Sequence, residues 1–276
     1  MTYIWVILIS NHFITTRIKG QTQVKRIITL TTDFGLDDHY IGVMKGVILG
    51  INSDAVITDI THGIPKYDIF KAAFTVRNFY KYFPKDSIHI VVIDPEVGSE
   101  RKPIVVESEQ GVFIGPDNGV FSFILEENKG ISIIEITNPK YMLSDVSNTF
   151  HGRDIFAPAA AHISLGLEVT ELGENVKSPI SLEINKPQVH DNEISGEVIY
   201  EDSFGNLITN IPRDLIEGYS KIQIDEFIID SVASSYQDVE KGEVLAIIGS
   251  SGFLEISVNH GSASDLIKDR RLRVSK

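Results

Sequence analysis

Two apolar, β-branched runs that each end in an aspartate set the terms for this chain. Residues 27–32 (Ile-Ile-Thr-Leu-Thr-Thr) run into Asp33-Phe34-Gly35, and residues 88–93 (Ile-His-Ile-Val-Val-Ile) run into Asp94-Pro95. A run that is apolar nearly throughout, rather than at alternate positions, reads as a strand buried on both faces, which requires helices on each side of the sheet. Helical patterning duly follows. Tyr40, Met44, Val47 and Ile48 recur at helix spacing, and so, after a second strand at 56–60, do Ile69, Ala72, Ala73, Val76, Phe79 and Tyr80. The order β-α-β-α implies an α/β domain with a mostly parallel sheet. Ligands of such sheets gather beyond the carboxyl ends of the strands, where Asp33 and Asp94 both fall.

Further strands are expected at 104–107, 112–114 and 131–136, with a helix through Ile155, Ala159 and Ile163. Between about 172 and 192 the chain turns polar and carries Pro179 and Pro187, as a domain boundary does. Beyond it only short strands are legible, at 196–200, 207–210, 221–230, 244–248, 253–258 and 272–274, separated by Gly and Asn turns that suit a barrel or sandwich. The expected organisation is an α/β domain over 26–180 and a smaller all-β, barrel-like domain over 193–276. Residues 1–25 are read as an extension outside the fold. Their apolar stretch, 3–9, is far shorter than the roughly 20 residues of a membrane span, and no Lys or Arg precedes it as a secretory signal would require. The expected location is cytoplasmic.

Charge and cysteine usage narrow the function. Lys and Arg number 25 against 38 Asp and Glu, a net of −13, with no basic run; a phosphate-backbone partner needs a basic face, so nucleic acid is not expected. There is no cysteine, which excludes disulfides, thiolate catalysis, iron–sulfur clusters and Cys-ligated zinc.

Four polar clusters could carry chemistry. In Thr31-Thr32-Asp33-Phe34-Gly35-Leu36-Asp37-Asp38, an ionised carboxylate at a strand end can take both hydroxyls of a ribose or hold a hard cation; the plainer reading has Asp37 or Asp38 capping the next helix. In Asp94-Pro95-Glu96-Val97-Gly98-Ser99-Glu100-Arg101, carboxylate and guanidinium could surround one small polar ligand, or form an ordinary ion pair on a surface turn. Phe150-His151-Gly152-Arg153-Asp154 brings a histidine, the side chain most readily poised near neutral pH, with Arg153 and Asp154 read as a helix-start charge pair. Past the boundary lie Asp202-Ser203-Phe204-Gly205-Asn206 and Gly249-Ser250-Ser251-Gly252-Phe253-Leu254-Glu255-Ile256-Ser257-Val258-Asn259. An Asn amide suits the edge of adenine and Phe204 could stack on a base, although Gly-Asn and Ser-Gly are also plain hairpin-turn chemistry. No Gly-rich phosphate loop, Gly-x-Ser-x-Gly or His-Glu-x-x-His is present, so the polar equipment suits a nucleoside without phosphates.

Taken in order, T-T-D-F-G, V-I-D-P-E-V-G-S-E-R, P-D-N-G (116–119), T-F-H-G-R-D, F-G-N and G-S-S-G-F-L-E-I-S-V-N resemble one family over about residues 26–276. It is the S-adenosyl-L-methionine hydrolases, hydroxide adenosyltransferases related to fluorinase and chlorinase enzymes. The resemblance implies a homotrimer, with each site between one subunit's first domain and its neighbour's second. It also implies conversion of S-adenosylmethionine and water to adenosine and methionine, with no cofactor and no metal. Carried over residue by residue, the water-activating group falls on Asp94, Arg101 and His151. Asp33 matches the ribose-diol carboxylate, Asn206 the adenine-edge amide and Phe204 a base-packing residue. Ser250, Glu255 and Val258 match adenosyl or methionine contacts, Tyr67 and Phe150 line the pocket, and Phe34, Asp38, Asp202 and Ser251 complete the expected substrate-binding set. One departure stands out: Glu96 occupies a position where the family usually has Gly. If that position needs positive φ or close backbone approach, Glu costs about 1–2 kcal/mol there.

Three other readings compete. A halide-using halogenase needs an anion pocket of neutral donors, and Asp94 would repel the halide. A calcium-dependent nucleoside ribohydrolase shares a pattern like T-T-D-F-G-L-D-D, but Thr31 stands where that pattern's first Asp belongs, and a missing hard ligand weakens a calcium site. A non-catalytic S-adenosylmethionine-binding protein would keep the pocket without turnover.

Overall fold

The computed structural model describes residues 26–276; the N-terminal extension expected at 1–25 lies outside the described residues. The first sheet is built from β1 (Ile27–Thr32), β2 (Val56–Thr61), β3 (Ile88–Val92), β4 (Pro103–Ser108), β5 (Gly111–Pro116), β6 (Ser132–Ile136) and β7 (Gly173–Asn175), in the spatial order β2-β1-β3-β5-β4-β6-β7. Its helices are α1 (Tyr40–Ile51), α2 (Ile69–Phe79), α3 (Ser122–Glu127) and α4 (Ala157–Ser164).

Period-two alternation explains why β3 reads as a solid apolar run. Ile88, Ile90 and Val92 face one core with Met44 and Ile48 of α1 and the alanines of α4, while Val91 and Ile93 face another with Ala72 and Val76 of α2 and Ile124 of α3. Helices therefore cover both faces, as the sequence implies. His89, the one polar residue of that run, lies on the α2 side among Phe79, Phe83 and Phe113, with Nδ1 bonded to Thr29 Oγ1 at 2.8 Å.

Strands β2, β1, β3 and β5 are mutually parallel, but β4, β6 and β7 pair antiparallel at one edge. The cause is local: β4 and β5 are joined across Glu109-Gln110, with Ser108 paired to Gly111, a link too short for a parallel crossover.

The second sheet comprises β8 (Gln188–His190), β9 (Glu193–Glu201), β10 (Leu207–Pro212), β11 (Lys221–Ile224), β12 (Phe227–Ile229), β13 (Val232–Ala233), β14 (Val244–Ile248), β15 (Phe253–Val258) and β16 (Arg271–Ser275), with the short helix α5 (Ala263–Leu266). The order is β12-β11-β16-β9-β10-β15-β14-β13, with β8 also on β9, and it curls around its own apolar core. The stretch expected as one strand over 221–230 is two, β11 and β12, turned at Asp225 with φ 51°. A further cluster, Ala73, Phe74, Phe123 and Ile208 with Tyr200 and Phe253, joins the two units through α2 and α3. No helix among the described residues is long and apolar enough to cross a membrane.

Candidate active site

The carboxyl ends of β1 and β3 open onto a cleft of about 330 Å³. Its lining includes Asp33, Phe34 and Asp38 from the β1–α1 loop, Tyr67 from the approach to α2, Asp94 just past β3, and Phe150 and His151. Parallel strands thus deliver Asp33 and Asp94 to one opening, as the switch-point argument requires.

Asp94 and Arg101 form a paired core beneath that opening. Arg101 Nε donates to Asp94 Oδ1 at 2.9 Å and its Nη2 donates to Oδ2. The side chains are 2% exposed for Arg101 and 5% for Asp94, so this is a buried fork-to-fork pair rather than an ion pair on a surface turn. The same Nη2 meets His151 Nδ1 at 2.7 Å. A guanidinium has no acceptor lone pair, so Nδ1 must accept and the imidazole proton resides on Nε2. Burial, and next the Arg101 charge, hold His151 below its ordinary value near 6.5, against the opposing pull of Asp94 and Asp154. Arg101 Nη1 is buried without a hydrogen-bond partner.

The loop between Asp94 and Arg101 turns at Gly98, whose φ is 78° and whose added Cβ would meet Asn148 O at 2.2 Å. Glu96, by contrast, is exposed and has no positive φ. The cost foreseen for a non-glycine residue at 96 is therefore not incurred, because Gly98 takes both the left-handed turn and the close approach.

His151 enters a π-helix, Gly152–Phe156, that feeds α4. Gly152 lets the chain pass Met44 and Phe150, which a Cβ would approach to 3.2 Å. Asp154 is fully buried and does more than pair with Arg153: it accepts from Ser147 N and Ser147 Oγ, both at 2.9 Å, so it pins the loop that presents Phe150 and His151. Burial pushes its carboxyl up, but Arg153 and Ser147 outweigh this and hold it below the ordinary range.

Around Asp33 the geometry is equally specific. Asp33 Oδ2 accepts the Tyr67 N–H at 2.9 Å, and Tyr67 sits at φ 69° at the mouth, 67% exposed. Phe34, Tyr40 and Phe150 pack as an aromatic wall, Phe150 edge to face with each of the other two and Phe34 tilted against Tyr40, with centroids 5.2 to 5.9 Å apart. Neither Asp37 nor Asp38 caps α1: the cap position is His39, which makes no side-chain cap bond. Tyr40, Lys66, Val97 and Thr149 also line the cleft, and none of them belongs to the site expected from sequence. Tyr40 reads there only as one apolar residue of a helix face.

The barrel residues do not line this cleft. Asp202 spends its carboxylate inside the β9–β10 turn, Oδ1 accepting from Phe204 N and Asn206 N and Oδ2 from Asn206 Nδ2, all at 2.9 Å. That brace orients the Asn206 amide and leaves Phe204 77% exposed. The β14–β15 turn holds exposed Ser250, and Ser251 beside it has a buried, unpartnered Oγ. Glu255 is buried beneath this turn and accepts from Tyr236 Oη and Ser257 Oγ at 2.7 Å each. Burial, and next the Glu255 bond, push Tyr236 up to about 12. Val258 packs in the barrel core. Both clusters are thus hairpin turns, as their Gly and Asn content suggests, and both also present unsatisfied or exposed groups. Among the described residues, no three His, Asp or Glu side chains are grouped so as to hold a metal ion.

Comparison with known proteins places these features in context. The SAM hydroxide adenosyltransferase N-terminal domain matches residues 28–173, and the corresponding C-terminal domain matches residues 196–271. A protein of Methanocaldococcus jannaschii named (R)-S-adenosyl-L-methionine hydrolase is 40% identical over 258 residues, covering 87% of this chain and 91% of that one. A fluorinase of an Actinoplanes species is 24% identical over 270 residues, covering 84% of this chain and 91% of its own. Among solved structures, an uncharacterised conserved protein of Thermotoga maritima superposes with a TM-score of 0.84 at 38% identity, covering 91% of this chain and all of that one.

Proposed function

Because the chain belongs to the SAM hydroxide adenosyltransferase family, we propose that it hydrolyses S-adenosyl-L-methionine to adenosine and L-methionine by attack of an activated water on C5′. The observation that carries the mechanism is the buried Asp94–Arg101 pair joined to the half-buried His151, with one guanidinium donor, Nη1, left without a protein partner. A water oxygen would satisfy that donor.

The electron count favours this chemistry. The water oxygen forms a bond to C5′, the C5′–S bond breaks, and its electron pair returns to sulfur, so methionine leaves as a neutral thioether. Attack by a hydroxide-like oxygen on a sulfonium compound cancels charge, which a dry site favours. Bulk water has a pKa of about 15.7, so the site must stabilise developing hydroxide, the task assigned to Arg101. His151 Nδ1 is engaged by Arg101 and its Nε2 carries a proton, so the free lone pairs that can take the water's proton belong to Asp94. His151 then orients the water. Holding water, carbon and sulfur in line can contribute about 7–11 kcal/mol. No cofactor or metal has a role in this scheme.

Asp33 would take the ribose diol, its second oxygen being fixed by Tyr67 N–H. Phe34, Asp38, Tyr67 and Phe150 would enclose the rest of the first-domain share. Since Asp202, Phe204, Asn206, Ser250, Ser251, Glu255 and Val258 do not line that cleft, the reading includes a homotrimer in which a neighbour's barrel completes each site. A cytoplasmic location belongs to the same proposal. Halide use is disfavoured because Asp33, Asp38 and Asp94 all line the cleft and would repel an anion.

The test is to incubate the purified protein with S-adenosylmethionine, with and without EDTA and chloride, and identify products by chromatography and mass. Adenosine plus methionine, indifferent to both additions, is the expected result. Intact bound substrate would mark a binding protein, a 5′-chloro product a halogenase, and adenine release a ribohydrolase.

A further inference from the structure

Helix α2 carries Lys71, Phe74 and Arg77 at i, i+3 and i+6, a single ridge about 9 Å long. This ridge lies on the barrel rather than on the cleft. Phe74 packs on Tyr200 and Phe253 with centroids 4.8 and 6.0 Å away. At one end Lys71 Nζ lies over the Tyr200 ring and donates to Glu201 O at 3.0 Å, the carbonyl that leads into the Asp202–Asn206 turn. At the other end the Arg77 guanidinium stacks on Phe253 at 4.5 Å, and its Nη1 donates to Ser251 O at 3.1 Å, inside the β14–β15 turn. Glu127 of α3 holds Arg77 from behind through Nε at 2.6 Å.

The two turns flank opposite ends of β10, since Leu207 follows the first and Pro212 pairs with Phe253 just after the second. They bear Asn206, matched above to the adenine edge, and Ser250, matched above to an adenosyl or methionine contact. A ligand with a nucleoside at one end and an amino acid at the other needs both turns at a fixed separation. Hydrogen bonds from two residues of one rigid helix supply that separation directly.

We propose that Lys71 and Arg77 are positioning residues that set the spacing of the two barrel turns, and so the fit of a substrate held in the neighbouring subunit's cleft. The proposal rests on the shared-site reading given above. Neither residue touches the reacting atoms. Displacement of a binding group by about 1 Å can cost up to about a hundredfold, and the loss should appear in binding of the whole substrate rather than in the chemical step.

The experiment combines kinetics with mixed trimers. Arg77→Ala and Lys71→Met are each expected to raise KM for S-adenosylmethionine about tenfold, with kcat kept within about threefold. Arg77→Lys, which keeps the charge but not the planar fork, serves if the alanine variant fails to fold. Asp94→Ala is then co-expressed, under separate tags, with Asn206→Ala and in parallel with Arg77→Ala. If clefts are shared, each mixture contains hybrid sites with a native Asp94 from one chain and native turns from the other, so activity at low substrate should exceed that of either variant alone. Recovery in both mixtures supports the proposal. Recovery with Asn206→Ala but not with Arg77→Ala would overturn it, by showing that Arg77 serves its own chain's cleft. No recovery with Asn206→Ala would overturn the shared-site reading instead. An unchanged KM in both the Arg77 and Lys71 variants would refute the positioning role outright.

Discussion

Replacing Arg101 by Met removes three hydrogen bonds at once, two to Asp94 and one to His151. The methionine stem keeps much of the packing against Phe156, over which the guanidinium now lies at 5.5 Å. What it cannot keep is a counter-charge for a carboxylate that is 5% exposed. Removing one partner of a buried pair typically costs about 3–5 kcal/mol, because the survivor stays buried and uncompensated. An exposed pair would cost no more than about 1 kcal/mol, so the magnitude separates the two cases. Urea unfolding at fixed protein concentration and pH 7 should show the larger loss. The double variant Asp94→Asn, Arg101→Met should recover part of it, with the two single effects failing to add by at least about 1 kcal/mol. Turnover should nevertheless stay low in both, by about a hundredfold or more, since the donor for developing hydroxide is gone. A single-variant cost near 1 kcal/mol, simple additivity, or native turnover in the methionine variant would each refute the reasoning.

Three further outcomes follow from the same geometry. Protonating His151 would abolish its Nδ1 acceptor and set a second positive charge beside Arg101, so kcat/KM should hold above pH 6.5 and fall at lower pH, through a value below 6.5; a pH–rate profile that bends only above 6.5 would contradict this. Gly98→Ala should cost at least about 1–2 kcal/mol from the left-handed turn alone, and should lower turnover by moving the Asn148 contact, both readable by unfolding and steady-state assays. His89 is held by burial down to about 4. Its depressed value contributes stability that is fully present above pH 6.5 and lost as pH falls toward 4, up to about 3 kcal/mol. Unfolding curves of His89→Leu at pH 7 and 4.5 should lack that part of the acid dependence.

What the sequence disclosed and what it withheld divide along physical lines. Buried strands announce themselves by composition, so β1, β3, β14 and β15 are legible, and with them the placement of Asp33 and Asp94 at strand ends. Direction is not encoded in that pattern: β4 and β6 look like any other buried strand, and only the two-residue link at 109–110 turns the edge antiparallel. Cluster membership is visible where residues lie close in the chain, as for Asp94 and Arg101. The bond from Arg101 to His151 crosses fifty positions and enters the sequence argument only through family resemblance. The π-helix after His151 and the pinning of its loop by Asp154 leave no periodic trace, because they depend on one backbone turn and on Ser147. Lys71 and Arg77 fall outside the apolar face that the sequence marks on their helix. Only the tertiary structure shows that they face the barrel turns.

The central claim is attack by water on C5′ at the cleft lined by Asp94 and His151, with Arg101 buried behind them, and oxygen labelling tests it most directly. Turnover of S-adenosylmethionine in ¹⁸O-enriched water, followed by mass spectrometry of both products, should place one heavy oxygen at the 5′-hydroxyl of adenosine and none in methionine, with formation of the label abolished in Asp94→Ala. Heavy oxygen in methionine, unlabelled adenosine, or labelling that survives Asp94→Ala would contradict the account.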